Sequence, residues 1–419
     1  MSKASRLRQV LAALFGRDEQ QRDWAFEQLR PLRGEPLQAR SREDARAVVE
    51  AFAWRSPTAK RRRPRPVHAL LGLVLRPGSK EAADFFREAA TPAIVEAWPT
   101  LESDERGVAL KVLVLFGTRE ALRFFAACLL EEDGAHELAV IAALNEVDPQ
   151  TALLDELLPA LEPVLDSPGS SAVAVLELAN RLADEERLAT HPAGSRLERL
   201  GAWIRSREPS ELRSALAAVH ALAHLDGRPA SALRKEALFH PSPEVRLQAI
   251  HARCRQDEPG AELELARAVL DPRVSKRARE LLEMLGKSHL VPAAASDPEF
   301  LARSELMAWL AHPMEFGRPP QRMELWDRRL LRWPPTEDER ELFLYRYTYV
   351  DAPGGPETGV GLVGSITVSL SGDARPDPEG SPEEALAVHC AWELQQAGLR
   401  AERQALLASC RRQLGFAKG

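Results

Sequence analysis

Between residues 79 and 285 the apolar positions recur with helical spacing, and the helical runs come in pairs divided by short breakers. The breakers are Asp133-Gly134, Asp166-Ser167-Pro168-Gly169, Asp226-Gly227, His240-Pro241-Ser242-Pro243 and Glu258-Pro259-Gly260. Each pairs a residue that stops one helix with one that starts the next. The pattern predicts outer helices at 80–97, 118–130, 149–161, 195–204, 230–239 and 261–269. Their inner partners begin near Asp104, Ala135, Gly169, Pro209, Pro243 and Pro272. Val108, Leu110, Val112, Leu113, Leu115 and Phe116 form a face wider than one stripe, which a helix needs when it packs on both its own partner and the next pair.

Three inner segments share a phrase: ELRSALAAV, EVRLQAIHA and RVSKRAREL. Leu212, Val245 and Val274 head them, Arg213 and Arg246 follow in the first two, and Leu216, Ala249 and Ala278 recur four positions on. Pro209, Pro243 and Pro272 precede them, at a spacing of about 30 residues that suits one helix–turn–helix unit per repeat. The phrases at Glu244-Val245-Arg246 and Asp271-Pro272-Arg273-Val274 resemble the second helix of HEAT repeats, in the short form first noted in phycobilisome lyases. The resemblance spans roughly residues 100–286. It implies a right-handed α-α superhelical solenoid in which an acidic residue or proline caps the helix and an arginine beside the valine joins adjacent repeats. Ser275 stands where that pattern has arginine.

Outside the repeats the pattern changes. Leu7, Val10, Leu11 and Leu14 fall at i, i+3, i+4 and i+7, predicting a first amphipathic helix that packs on Trp24, Phe26 and Leu29. Beyond Val291-Pro292-Ala293-Ala294-Ala295 lie all three tyrosines and four of the eight tryptophans. A helix over 297–311 precedes three strand-like runs: 322–326 with 330–333, 341–350 and 360–370. Helices at 385–396 and 401–414 follow. The expected fold is therefore mostly α: a N-terminal helical region (1–76), HEAT-like helical repeats (77–290) and a small α+β domain with a short antiparallel sheet (297–419).

The 419 residues carry 45% hydrophobic and 28% charged side chains, a profile of a folded chain with a sizeable core. A net charge of −6 disfavours nucleic acid and anionic membranes as partners. The one dense basic run, Lys60, Arg61, Arg62, Arg63, Pro64, Arg65, has no interleaved aromatics and is read as a solvated loop. Cys128, Cys254, Cys390 and Cys410 are far apart, so no zinc knuckle or disulfide framework is signalled, and a cytoplasmic location is expected.

Candidate chemistry is sparse. Gly359, Gly361 and Gly364 spell GxGxxG, yet a strand follows where a dinucleotide site needs a helix, so they are read as marking a strand that twists or lies against other backbone. His220 and His224 stand at i, i+4, a spacing that can set two imidazoles on one metal. No third ligand follows in a recognisable pattern, so they are read as packed histidines, and neither metal nor cofactor is expected. His389 and Cys390 are helix neighbours that point in different directions. Tyr345, Tyr347 and Tyr349 share a strand face, with Arg346 opposite and Trp326 and Trp333 nearby. They form either a partner-binding platform or the core under the sheet. Taken with the HEAT resemblance, the expected function is a non-enzymatic, monomeric scaffold that holds another protein. The alternative is a HEAT-fold nucleic-acid-binding protein or DNA glycosylase-like enzyme.

Overall fold

The computed structural model describes residues 5–14, 16, 18–29, 37–52, 67–131, 144, 154–167, 169–312, 315–332, 338–351, 354–364 and 377–396. The basic run at 60–65, the inner segment expected near Ala135, Trp333, Ile366 to Leu370 and the helix expected at 401–414 lie outside these. So do the side chains of Cys390 and Trp392. The chain forms two units, Met1–Ala230 and Ser231–Gly419, a different cut from the three-part division expected from composition. None of the described helices is long and apolar enough to cross a membrane.

The first unit is helical. Helix α1 (Arg6–Leu14) buries Leu7, Val10, Leu11 and Leu14, as its spacing predicts, and packs on α2 (Glu19–Leu29). On α2 Ala25 is buried, whereas Trp24 turns outward and is 46% exposed, contrary to expectation. Helix α3 (Arg42–Phe52) carries Asp44, whose buried carboxylate accepts from Ser5 Oγ at 2.5 Å, Arg8 Nε at 3.0 Å and the Arg40 amide at 3.2 Å. That satisfies the charge and ties the beginning of α1 to α3.

There follow α4 (Val67–Leu75), α5 (Lys80–Ala97), α6 (Ser103–Phe116), α7 (Arg119–Glu131) and α8 (Leu154–Leu161). Ser79 caps α5, and Glu102 and Glu105 form a reciprocal capping pair at the start of α6. Gly117, at φ 59°, ends α6 in the left-handed conformation that a side chain would resist. Of the wide apolar face on α6, Leu110, Val112 and Leu113 are buried but Leu115 faces outward.

Helices α9 (Ser170–Asp184), α10 (Leu197–Arg205) and α11 (Leu212–Ala221) carry the repeat register of this unit. Both α9 and α10 pack on α11. Arg213 grips Glu177 through Nε at 2.8 Å, 36 positions apart, and the Asn180 amide donates to the Ala217 carbonyl at 2.9 Å, 37 positions apart. Arg181 reaches the Leu144 carbonyl across the same interval of 37. Like positions on successive inner segments therefore meet, one repeat apart.

Helix α12 (Arg228–Ala237) spans the boundary of the units. In the second unit α13 (Pro243–Arg255) is capped by Ser242 and enters through a proline at its first position. It pairs with α14 (Ala261–Ala268), which in turn packs on α15 (Ser275–Met284). Val245, Ala249 and Ala278, the recurring small and apolar positions of the phrase, are all fully buried. The Arg246 guanidinium holds the His240 and Pro241 carbonyls, each at 2.8 Å, and its charge also acts on Asp271 at the head of the next repeated phrase. Glu258 ties the loop before α14 to its neighbours by accepting from Ser231, Arg234 Nε (2.8 Å) and Arg253 Nε (2.9 Å).

The chain then enters α16 (Pro298–Leu310), capped by Asp297. Its Phe300 packs, with Ala295, on Leu281, Leu282 and Leu285 of the last repeat segment, while Leu306, Met307 and Trp309 turn toward a sheet. Leu301 is exposed. The sheet is a three-stranded antiparallel meander of β1 (Arg322–Arg332), β2 (Glu339–Tyr349) and β3 (Glu357–Val363). The two short runs expected at 322–326 and 330–333 are one strand, because an irregularity in register between Leu325 and Asp327 absorbs the break in alternation. On one face Phe343, Tyr345, Tyr347 and Tyr349 meet α16; on the other Leu342, Leu344, Val360 and Leu362 meet Ala385 and Leu386 of α17 (Pro382–Gln396).

Candidate functional site

The tyrosine face is interior. Tyr345, Tyr347 and Tyr349 are 1%, 5% and 2% exposed, so they are core residues and not an open platform. Each of two hydroxyls finds a backbone acceptor: Tyr345 donates to the Glu299 carbonyl at 2.7 Å and Tyr349 to the Arg318 carbonyl at 2.9 Å. Burial holds both phenols well above the usual tyrosine range, with Glu299 adding for Tyr345 and Tyr347 adding for Tyr349. Phe316 stacks on Tyr349 with ring centroids 4.6 Å apart. Arg346 and Trp326 stand together on the opposite face, the guanidinium 4.3 Å from the indole centroid.

The glycines of the GxGxxG are explained by this core. Gly359 lies opposite Tyr347 and Gly361 opposite Tyr345 in the ladder. A Cβ on Gly359 would sit 2.5 Å from the Tyr347 ring, and one on Gly361 would sit 2.7 Å from Leu306. Gly364, at φ 101°, lies against the Glu341 carbonyl. They are seats for large side chains and backbone, not for a phosphate.

The one cluster of possible ligating groups among the described residues is Asp184, His220 and His224, whose ligand atoms all lie within 4.8 Å of one another. The third donor, which the sequence does not place, comes from the preceding repeat. Asp184 is the last residue of α9, and α11 tightens after Ala221 into a 3-10 turn over Leu222–His224 that carries the second histidine. His220 Nε2 is 2.8 Å from Asp184 Oδ2 and His224 Nε2 is 3.2 Å from Asp184 Oδ1. The expectation of two merely packed histidines is corrected to this extent: a carboxylate bridges them.

Neither a protein-family model, nor a curated protein, nor a solved structure matches this chain. The reading of the cluster rests on its chemistry.

Burial works against the charge of Asp184, but hydrogen bonds from His220 and His224, and then their charges, outweigh it and hold the carboxyl far below the usual carboxylate range. The carboxylate also stands at a helix C-terminus, where the macrodipole is unfavourable to an anion. His191 closes the cluster: its ring lies parallel to that of His224, centroids 5.8 Å apart. The Ala193 amide donates to His191 Nδ1 at 3.2 Å, so Nε2 carries the proton and donates to Asn180 Oδ1 at 3.1 Å. Burial, with the charges of His224 and His220, pushes His191 down to about 4 despite Asp184, which keeps this ring neutral. With both nitrogens engaged, His191 is a wall and not a fourth donor.

The buried thiols offer no second centre. Cys128 and Cys254 are interior, and burial, helped by Glu262, pushes Cys254 up to about 11.

Proposed function

We propose that the chain is a helical-repeat scaffold of the HEAT-like kind that holds another protein. The observation that carries this reading is a pair of apolar side chains left in solvent at the same place in successive helix pairs. Phe239 follows the end of α12 and is 82% exposed; Leu270 follows the end of α14 and is 42% exposed. Both stand on the turn that leads into the next inner helix, where polar breakers are otherwise the rule. A phenylalanine held almost wholly in water has no role in the stability of its own unit, and large apolar groups of this kind anchor protein interfaces. The net charge of −6 is in keeping with a protein rather than a nucleic acid as partner.

The test is a comparison of the full chain with its Phe239→Glu, Leu270→Glu double variant as bait in native lysate, alongside thermal melts of both. A protein recovered in near-stoichiometric amount by the parent and lost from an equally stable variant is the expected result. Recovery of the same proteins by both would overturn the assignment of the partner surface to these turns.

A further inference from the structure

We infer that Asp184, His220 and His224 bind one divalent transition-metal ion of the zinc class, clamping α9 to the end of α11 and leaving a coordination position open to solvent. The donor set is two imidazole nitrogens and one carboxylate oxygen. Such donors suit zinc and its first-row neighbours, whereas calcium and magnesium ask for oxygen alone.

The geometry is close to assembled. With bonds of about 2.0 Å, the ligand atoms of a tetrahedral zinc lie roughly 3.3 Å apart. The carboxylate oxygens already stand 2.8 Å and 3.2 Å from the two Nε2 atoms. To bind the ion, each imidazole coordinates as a neutral ring through Nε2 with its proton on Nδ1. The ligand atoms, all within 4.8 Å of one another, complete the site by small side-chain adjustments to the tetrahedral spacing.

Electrostatics point the same way. The carboxylate ends α9, and both histidines lie at or just beyond the C-terminus of α11, so two helix C-termini and one formal negative charge face the same small volume. A cation there answers all three. The neighbouring groups are fixed for the purpose: the neutral His191 ring stacks on His224 and is held by Asn180 and Ala193, and Asn180 is itself anchored to the Ala217 carbonyl. Access is one-sided. The His224 side chain is 10% exposed, while those of His220 and Asp184 are 31% and 37% exposed, so an ion enters from solvent and keeps a face toward it. The fourth position takes water or a donor from outside the chain.

Zinc ion alone is the probe. The full-length protein, stripped with chelator, is titrated with zinc by calorimetry and melted with and without the ion, in parallel with Asp184→Asn, His220→Gln and His224→Gln; cobalt(II) supplies a visible spectrum of the same site. One equivalent of zinc, a raised melting temperature, cobalt d–d bands of a four- or five-coordinate nitrogen–oxygen site, and at least ~100-fold weaker binding in each variant are expected. Circular dichroism of the variants, whose changes are isosteric or nearly so at partly exposed positions, shows whether each is folded. Zinc binding by the parent no tighter than by the folded variants, or cobalt spectra of a fully hydrated octahedral ion, would overturn the inference.

Discussion

Asp184 Oδ2 sits 2.8 Å from His220 Nε2 although 36 residues separate them, and the same interval of 36 joins Glu177 to Arg213 two turns earlier on the same pair of helices. One register thus does two things. It stacks α9 on α11 as successive inner segments, and it delivers the acid that turns a pair of histidines into a three-donor cluster.

Asn180 is the interior fastening of that register. It is 1% exposed, donates to the Ala217 carbonyl and accepts from His191. Asn180→Ala is expected to cost about 2–3 kcal/mol in urea unfolding, since two buried partners lose their hydrogen bonds. Arg213→Ala is expected to cost under about 1 kcal/mol, because the ion pair with Glu177 is one-third exposed on each side. Equal losses would show that the ion pair and not the buried amide carries the contact.

Val245 and Ala249 are completely buried in the second unit. Val245→Asp or Ala249→Arg places a charge among apolar groups and is expected to destabilise the protein by about 3–5 kcal/mol. Thermal melts check this; an unchanged melting temperature would mean that these positions face solvent.

The strand glycines are expected to resist substitution in a graded way. Gly361→Ala must displace the end of the Leu306 side chain, at a cost of about 1–3 kcal/mol. Gly364→Ala meets the Glu341 carbonyl in a left-handed backbone conformation and is expected to cost more. Denaturant midpoints of the two variants test the order.

His389 gives the second unit a pH dependence. It is fully buried on α17, and burial pushes it down to about 4. The unfolded chain takes up the proton near pH 6.5 and the folded one only near 4, so stability is complete above about 6.5 and falls as the pH drops through that window, by about 3 kcal/mol at most. Melting temperatures measured from pH 7 to 4 should fall less in His389→Phe than in the parent. Identical slopes would show that other groups govern the loss.

The helices were legible because their signals are local. Ser242-Pro243 and Asp297-Pro298 start helices where capping chemistry says they should, and Val245, Ala249, Val274 and Ala278 of the repeated phrase are buried as their spacing requires, whereas Leu212 and Leu216 of its first copy are only half-buried. The sheet was legible for the same reason: alternation along β2 sorts the tyrosines from Leu342 and Leu344. Which faces are covered is not a local property. Alternation alone assigns two faces to β2, and only the arrival of α16 on one and α17 on the other makes both interior. Trp24 and Leu115 misled because an apolar residue on a helix flank points outward as readily as inward. The cluster escaped for a reason of distance. His220 and His224 announce themselves at i, i+4, but Asp184 is one repeat upstream in an unremarkable Ala-Asp-Glu-Glu run, and only the stacking interval selects it from its acidic neighbours.

The register itself is most directly read by cross-linking. In a background with the four native cysteines replaced, Glu177→Cys with Arg213→Cys, and Asp184→Cys with His220→Cys, are treated with a short thiol-bridging reagent. Both pairs should bridge rapidly within one chain, while Glu177→Cys with His220→Cys, offset by about two helical turns, should not. Bridging of the offset pair in preference to the matched pairs would contradict the stacking of α9 on α11, and with it the cluster that depends on that register.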